Sequence, residues 1–156
     1  MSIAAKLSDY LSRAGVPYEV LSHAPTKTSS ETAEVAHVTG ERVAKAVVLH
    51  DERGYVLAVV PSSHRVELDS LQSLLKRRLS LATEGEIAGL FPDCERGAVP
   101  ALGAAYGLGT VVDDSLKTQP DVYFEAGDHR TLVHVNASDF ASLLVDAGYG
   151  RFSHHV

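Results

Sequence analysis

The chain has 156 residues, 45% of them hydrophobic, so it can build a hydrophobic core without disulfides or a structural metal. Its formal net charge of −6 argues against binding of DNA or other long nucleic acid over the whole surface, although contact with the end of a nucleic acid stays open. The single cysteine, Cys94, cannot form an internal disulfide, which indicates a reducing, cytoplasmic compartment. The polar N-terminus and the lack of a long apolar run argue against a secreted or membrane protein. We expect one domain over residues 1–156.

Helical spacing of apolar residues, glycine stops and β-branched runs mark the elements of the first half of the chain. The predicted elements are a helix over about Ser2–Ala14 ending at Gly15, a strand over Val16–Leu21, a helix opened by the capping-box spacing of Thr28–Glu31 and running through about Val38 to Gly40, and a hairpin of Ala46–His50 and Tyr55–Val60 around Asp51–Gly54, closed by Pro61.

The second half continues with short elements. They are a helix over Asp69–Arg77, a helix that follows the capping box Thr83–Glu86 and runs to about Leu90, strands over Gly109–Val112, Val122–Glu125 and Thr131–Asn136, and a helix over about Ser138–Ala147 that stops at Gly148. Short strands and helices joined by hairpins, without regular βαβ units, predict a mixed α+β domain around a curved or barrel-like sheet.

Two stretches point to a functional pocket. Lys45 comes just before an apolar strand and supplies a point charge on a fixed base. The loop Gly97–Gly103 has a glycine at each end and a proline inside, so its backbone N–H groups can approach an anion or a developing oxyanion closely. Together they predict a pocket for a small anionic or carbonyl-bearing group. A solvated lysine and an ordinary loop are the alternatives.

Other chemistries find less support in the residue pattern. The eight histidines lack metal-ligand spacing apart from the pair His154–His155 at an end that we expect to be frayed, so we expect no metal site. No Gly-x-Ser-x-Gly elbow is present. The acidic neighbours of Cys94 would not lower the pKa of its thiol, which favours a packed hydrophobe over a nucleophile. The basic cluster Lys76–Arg78 is either a solvated helix end or a phosphate contact.

A family resemblance rests on the order of several segments over about Ala14–Val145. These segments are Ser22-His23-Ala24-Pro25, the helix after Thr28, Lys45 with its strand, Phe91–Gly103 and Phe124–His129. In this order they resemble the YbaK/ProX-type aminoacyl-tRNA editing domains, also known as the prolyl-tRNA-synthetase-associated domain family.

The resemblance implies a free-standing, metal-independent hydrolase that removes a wrong amino acid, such as Ala or Cys on tRNA-Pro, from the 3′ acceptor end of a tRNA. An aminoacyl-tRNA synthetase is a further candidate partner, and no cofactor is implied. The lysine matching Lys45 would hold the terminal adenosine and its phosphate. The candidate oxyanion donors are the N–H groups of Gly97, Ala98, Val99, Ala101, Leu102 and Gly103. Candidate substrate-binding residues are His23, Thr26, Thr28, Ser29, Val43, Pro100, Tyr106, Gly127 and His129.

Two departures from the family pattern leave alternatives open. The family loop usually reads Gly-x-x-Pro-Pro-x-Gly, whereas Ala101 replaces the second proline here and should loosen the loop. Ala24 stands where a His-Pro pair is common, but Pro25 still restricts the chain. The loosened loop favours an alternative function, a catalytically weak module that binds an aminoacyl-adenosine or a tRNA 3′ end. Regulation through the first helix would rest on amphipathicity alone.

Overall fold

The computed structural model describes residues 3–156, in which helices pack against both faces of one large mixed sheet. The helices are α1 (Ala5–Ala14), α2 (Ser29–Val35), α3 (Leu68–Leu75), α4 (Glu84–Leu90) and α5 (Ala137–Leu143). The strands are β1 (Glu19–Ser22), β2 (Val43–Asp51), β3 (Gly54–Pro61), β4 (His64–Val66), β5 (Ser80–Leu81), β6 (Gly109–Asp113), β7 (Asp121–Glu125), β8 (Thr131–Asn136), β9 (Gly148–Gly150) and β10 (Ser153–His155). This arrangement confirms the predicted mixed α+β fold.

The large sheet has the strand order β1-β8-β7-β2-β3-β6-β9, with β5 pairing to β2 off this path. The pairs β2–β7, β3–β6 and β6–β9 are parallel, and the other pairs are antiparallel. A separate small sheet joins β4 to β10. No helix among residues 3–156 combines the length and the apolar character that crossing a membrane requires.

Each face of the central hairpin covers its own hydrophobic core, because side chains alternate along β2 and β3. On one face, Ala44, Val48, Leu57 and Val59 pack with helices α1 and α5. On the other face, Leu49, Val56, Ala58 and Val60 pack with Leu71 of α3 and with Phe152. Both strands are therefore buried on both sides, which explains why they appear as nearly continuous apolar runs in the sequence.

Several predicted elements are confirmed by the structure. Gly15 ends α1 in the left-handed conformation with φ 68°, and Leu7 and Leu11 of this helix are buried. Strands β2 and β3 form the predicted hairpin, each a few residues longer than expected. Thr83 and Glu86 form the predicted capping box, in which each side chain accepts a hydrogen bond from the other residue's backbone N–H.

Three predicted helices end earlier than expected. Helix α2 stops at Val35 because His37 takes the left-handed conformation, and the Val38 N–H returns to the Ala33 carbonyl at 2.9 Å. Lys76 ends α3 in the same conformation. Helix α5 ends at Leu143, and Gly148 starts β9 instead of stopping the helix. In α2 and α3 the helix ends at a residue other than glycine in the left-handed conformation. Because glycine is the usual signal for such an end, the predicted helices were too long.

The chain end and the basic cluster also differ from expectation. The expected frayed end is wrong, because His154 and His155 lie in β10 and pair with β4. Arg77 from the basic cluster forms a two-pronged ion pair with Asp51 in the hairpin turn, with its Nε donating at 2.7 Å. The first strand begins at Glu19, later than predicted, and pairs with β8.

Candidate functional site

The candidate site lies where strands β2 and β7 separate. The two strands pair in parallel at only two positions, Val43 with Tyr123 and Ala44 with Phe124. Beyond this point β2 turns to pair with β5. The segment before the glycine loop closes the gap, because the Glu95 N–H donates to the Gly127 carbonyl at 2.7 Å. The split thus brings the loop next to the β7–β8 turn.

We had expected Lys45 to lie just before the strand, but it lies within β2. Alternation places its side chain on the same sheet face as Glu125, since paired residues of parallel strands point the same way. Burial lowers the pKa of the Lys45 ammonium, and the nearby charge of Arg65 lowers it further. Within residues 3–156 the Lys45 ammonium has no carboxylate partner. It is a half-buried cation that is free to meet an anion.

On the opposite face of β2, a pocket of about 160 Å³ opens beside the loop. Two small or branched β2 side chains, one helix and the loop form its walls. The lining residues are Ala46, Val48, Glu84, Ile87, Ala88, Phe91, Cys94, Glu95, Arg96, Gly97 and Val99. The walls are mostly apolar, and the charged side chains come from Glu84, Glu95 and Arg96. Such a pocket suits a small side chain rather than a large polar group.

Only part of the glycine loop faces this pocket. Gly97 is exposed and has φ 81°, and a Cβ there would lie 3.2 Å from His129 Cε1. Val99 is half-buried at the pocket wall. Ala98 is buried, and its N–H already donates to the Glu95 carbonyl at 3.1 Å. Within the described residues, the N–H groups of Gly97 and Val99 have no backbone partner, so both remain able to donate a hydrogen bond to a ligand.

The rest of the loop is part of the core. Pro100, Ala101, Leu102 and Gly103 are buried. A Cβ on Gly103 would lie 2.8 Å from the Leu108 carbonyl oxygen and would also meet Thr110 Oγ1, so this glycine is needed for packing. Gly103 therefore allows the end of the loop to pack in the core, while the backbone of Gly97 faces the pocket.

A polar clasp fixes the segment before the loop to helix α1. The Tyr106 hydroxyl donates to Asp93 Oδ1 at 2.9 Å, and Asp93 Oδ2 accepts from the Lys6 backbone N–H at 2.9 Å. Burial raises the pKa of the adjacent Cys94 thiol to about 12. Cys94 is therefore a protonated wall residue and not an activated nucleophile.

On the Lys45 face, the start of α2 covers a buried polar group. Thr28 caps the helix by accepting from the Glu31 N–H at 3.1 Å. Thr26 and Thr32 share a hydrogen bond of 2.6 Å, and Thr32 donates to Glu125 Oε2 at 2.8 Å. Burial raises the pKa of Glu125, and the hydrogen bond from Thr32 partly offsets this.

Most of the predicted site residues lie near the split between β2 and β7. Some of them are next to the glycine loop, and others are buried. His129 lies against Gly97, with its Nε2 facing the Arg96 carbonyl, and Gly127 accepts from Glu95. Thr26, Val43 and Pro100 are buried, and none of the three lines the pocket. Tyr106 donates a hydrogen bond to Asp93 in the polar clasp. For Ser29 the structure describes only the backbone. His23 is half-buried beside the β7–β8 turn, where its N–H donates to the Arg130 carbonyl.

Some site residues were missed at the level of sequence. Ala46 and the α4 residues Ile87 and Ala88 line the pocket, yet they carry no polar group that would attract notice. Glu125 carried a signal that we did not use, since a carboxylate at the end of the apolar strand Val122–Glu125 is either paired or functional. Among the described residues, no group of three or more His, Cys, Asp or Glu side chains could hold a metal ion.

Comparison with known proteins identifies the family. The family model described as the aminoacyl-tRNA editing domain matches residues 23–143, which is most of the chain. The chain belongs to this family. No curated protein matches it. The matched range contains Lys45, the glycine loop and the β7–β8 turn, so the family assignment covers every part of the split described above.

Several solved structures share the fold. A candidate trans-editing enzyme for prolyl tRNA synthetase is 23% identical, with a TM-score of 0.84 over 97% of this chain and 96% of the other. A hypothetical protein is 22% identical with a TM-score of 0.84 over 96% and 99% of the two chains. A scaffold from a computational study of epitope grafting is 21% identical, also at 0.84, over 98% and 97%. At these identities the likeness establishes the fold alone.

Proposed function

We propose that this editing domain is an aminoacyl-tRNA deacylase that acts on the 3′ end of mischarged tRNA. The observation that carries the proposal is the position of Gly97 at the split between β2 and β7. Its free N–H borders the apolar pocket on one side, while the unpaired ammonium of Lys45 lies on the other face of β2. An aminoacyl ester has the matching shape, with an amino acid side chain on one side of its carbonyl and a nucleotide phosphate on the other.

The proposed reaction is hydrolysis of an already activated ester. Water adds to the ester carbonyl, and the N–H groups of Gly97 and Val99 stabilise the oxyanion that forms. The carbon–oxygen bond to the ribose then breaks, the amino acid leaves as the free acid, and the ribose oxygen takes a proton. Lys45 holds the terminal phosphate and fixes the ester in place. A neighbouring ribose hydroxyl of the substrate supplies activation of the water, so no protein nucleophile is required.

The pocket supports a small amino acid as the group removed. The short side chains of Ala46 and Ala88 leave the pocket open. Its volume is nevertheless only about 160 Å³. We propose Ala or Cys attached to tRNA-Pro as the substrate, with prolyl-tRNA synthetase as a further partner. Purified protein should hydrolyse Ala-tRNA-Pro or Cys-tRNA-Pro and spare Pro-tRNA-Pro in a single-turnover assay over a panel of charged tRNAs. Equal rates on all charged tRNAs would contradict an editing role.

Ala101 favours a second candidate function, a module that binds the aminoacylated 3′ end without turnover. Proline at this position would fix φ and lower the entropy cost of ordering the loop. Here the loop relies on burial instead, since Ala101 is 0% exposed. Tight binding of an aminoacyl-adenosine analogue by a protein that hydrolyses no charged tRNA would favour the module over the enzyme.

The proposed mechanism is independent of metal and of Cys94. We expect incubation with a chelator to leave the deacylation rate unchanged, because none of the described residues forms a metal-binding group. Cys94→Ser should change the rate little, since the thiol is protonated in the pocket wall. Activity that disappears with chelator and returns with zinc would overturn this mechanism.

A further inference from the structure

Glu125 is a buried carboxyl with an incomplete set of hydrogen bonds. Its side chain is 2% exposed; Oε2 accepts from Thr32, whereas Oε1 has no donor. Asp113, which is equally buried, shows the usual arrangement. Its Oδ1 accepts from the Phe152 N–H at 2.8 Å, and its Oδ2 accepts from the N–H and hydroxyl of Ser115. Burial of an unpaired carboxylate oxygen is costly, so a ligand that donates a hydrogen bond to Oε1 would relieve this cost.

Two histidines beside Glu125 also have unpaired, buried nitrogens. Nδ1 of His23 lies 2.7 Å from the Ala24 carbonyl, and Nε2 of His129 faces the Arg96 carbonyl. A carbonyl oxygen can only accept, so these two nitrogens carry the ring protons. In the neutral rings, His23 Nε2 and His129 Nδ1 are therefore acceptors, and both are buried without a partner.

The three acceptors belong to one neighbourhood. Glu125 ends β7, His129 lies in the turn to β8, and the Thr26 N–H donates to the His129 carbonyl at 3.3 Å. Positive charge on either histidine ring would act on the Glu125 carboxylate. No ring nitrogen of His23 or His129 forms an ion pair with Glu125 within 4.0 Å, so the three acceptors do not satisfy one another.

A group of acceptors without donors fits a ligand that donates several hydrogen bonds. A metal ion is a poor fit, because the described residues contain no group that could hold one. An ammonium group has three N–H donors and a positive charge, which complements one carboxyl oxygen and two imidazole nitrogens that can accept hydrogen bonds. We propose that Glu125, His23 and His129 bind the α-ammonium group of the aminoacyl ester. This inference rests on the proposed deacylase function.

The distance from the loop supports this assignment. In an aminoacyl ester a single carbon separates the α-ammonium from the carbonyl that Gly97 would hold. A Cβ on Gly97 would lie 3.2 Å from the His129 ring, so the oxyanion donor and the proposed subsite are direct neighbours. His23 and His129 are each half-buried as residues, unlike Glu125. An N-acylated ester would lose both the charge and two of the three donors.

The test compares two non-hydrolysable ligands, 3′-alanylamino-3′-deoxyadenosine and its N-acetyl derivative, by calorimetry with the full-length protein. We expect the free amine to bind at least about tenfold more tightly, the usual effect of a hydrogen-bonded charge. Hydrolysis of Ala-tRNA should exceed that of N-acetyl-Ala-tRNA by a similar factor. Equal binding of both ligands by a protein that hydrolyses Ala-tRNA would overturn the subsite and leave the deacylase function standing.

Glu125→Gln separates recognition from structure. We expect this variant to lose affinity for the free amine and to keep its affinity for the N-acetyl ligand, so that the preference collapses. Glu19→Gln is the matched control, because Glu19 is 75% exposed on β1, and it should keep the preference. An equal loss of both affinities in Glu125→Gln would show a merely structural role and would overturn the inference. A preserved preference for the free amine without hydrolysis of any charged tRNA would overturn the deacylase function and support the subsite.

Discussion

At the scale of single residues, Lys45 is the sharpest test of the proposed site. Lys45→Ala should reduce deacylation by about 10- to 100-fold, because a charge-assisted contact to a phosphate is lost. The thermal midpoint should change little, since the ammonium has no partner in the described part of the chain. Deacylation rates and melting curves of the same Lys45→Ala preparation show whether activity is lost while stability is kept.

Lys76→Ala provides the matched control for Lys45, because Lys76 is exposed at the end of α3. It should keep the wild-type rate. Lys45→Met retains the aliphatic stem, so its activity should fall as far as that of Lys45→Ala. A collapsed melting curve for Lys45→Met would mean that the charge is structural, and a wild-type rate would remove Lys45 from the mechanism.

The two loop glycines should respond differently to substitution. Gly97→Ala should slow hydrolysis by on the order of 10²-fold, because the added Cβ crowds His129 and strains a backbone that has φ 81°, which displaces the oxyanion donor. Gly103→Ala should mainly lower the thermal midpoint, since its Cβ would meet the Leu108 carbonyl at 2.8 Å in the core. Steady-state kinetics and calorimetry on both variants distinguish the two effects.

Gly107→Ala is the control for backbone strain alone. Gly107 has φ 70°, and a Cβ there would meet nothing within 4 Å. It should cost about 1 kcal/mol of stability and leave the rate of hydrolysis unchanged. If Gly97→Ala behaves like Gly107→Ala in both measurements, Gly97 has no part in holding the oxyanion.

At the scale of elements, Ala101→Pro tests how the loop is held. Proline would restore the pattern common in the resembling family and would restrict φ in the unfolded chain as well. The Ala101 N–H donates to no backbone carbonyl in the described structure, so no internal backbone hydrogen bond is lost. We expect equal or higher activity and an equal or higher thermal midpoint. A large loss of activity with an unchanged midpoint would identify the Ala101 N–H as a necessary donor.

The sequence predicted well those elements whose determining residues are neighbours in the chain, and less well those that depend on distant residues. Helix α1, the β2–β3 hairpin and the capping box of α4 rest on neighbouring residues, so local patterns were sufficient. The ends of α2 and α3 depend on His37 and Lys76 in a conformation that usually indicates glycine. Strands β4 and β10 are only three residues each and exist because they pair with one another across the chain.

The candidate site follows the same rule. Lys45 and the glycine loop were recognisable because charge and backbone freedom are properties of single residues. Which loop N–H groups face a pocket could not be predicted, because the burial of Ala98 and Leu102 is decided by the core against which they pack. Glu125 was missed for a related reason, since its unpaired oxygen becomes visible only when Thr32, from another element, is placed against it.

At the scale of the whole molecule, the raised pKa of Glu125 predicts how stability depends on pH. An acid whose folded pKa lies above its unfolded value binds its proton more tightly in the native state. Its contribution to stability is therefore present at low pH and is lost as pH rises from about 4.5 through the higher folded value. Carboxyls with lowered pKa, such as Asp93 and Asp113, act in the opposite sense and lose their contribution as pH falls below about 4.

A difference measurement isolates the Glu125 contribution from the other titrating groups. His134 has a raised pKa and His64 a lowered one, so both add their own slopes near neutral pH in wild type and variant alike. Subtracting the unfolding free energies of Glu125→Gln from those of the wild type, measured by urea unfolding at a series of pH values from 4 to 8, removes these common terms. The wild type should lose stability relative to the variant as pH rises, because Gln carries no charge to bury. A constant difference over the whole range would show that Glu125 has the same pKa in the folded and unfolded states, and burial would then not disfavour its charged form.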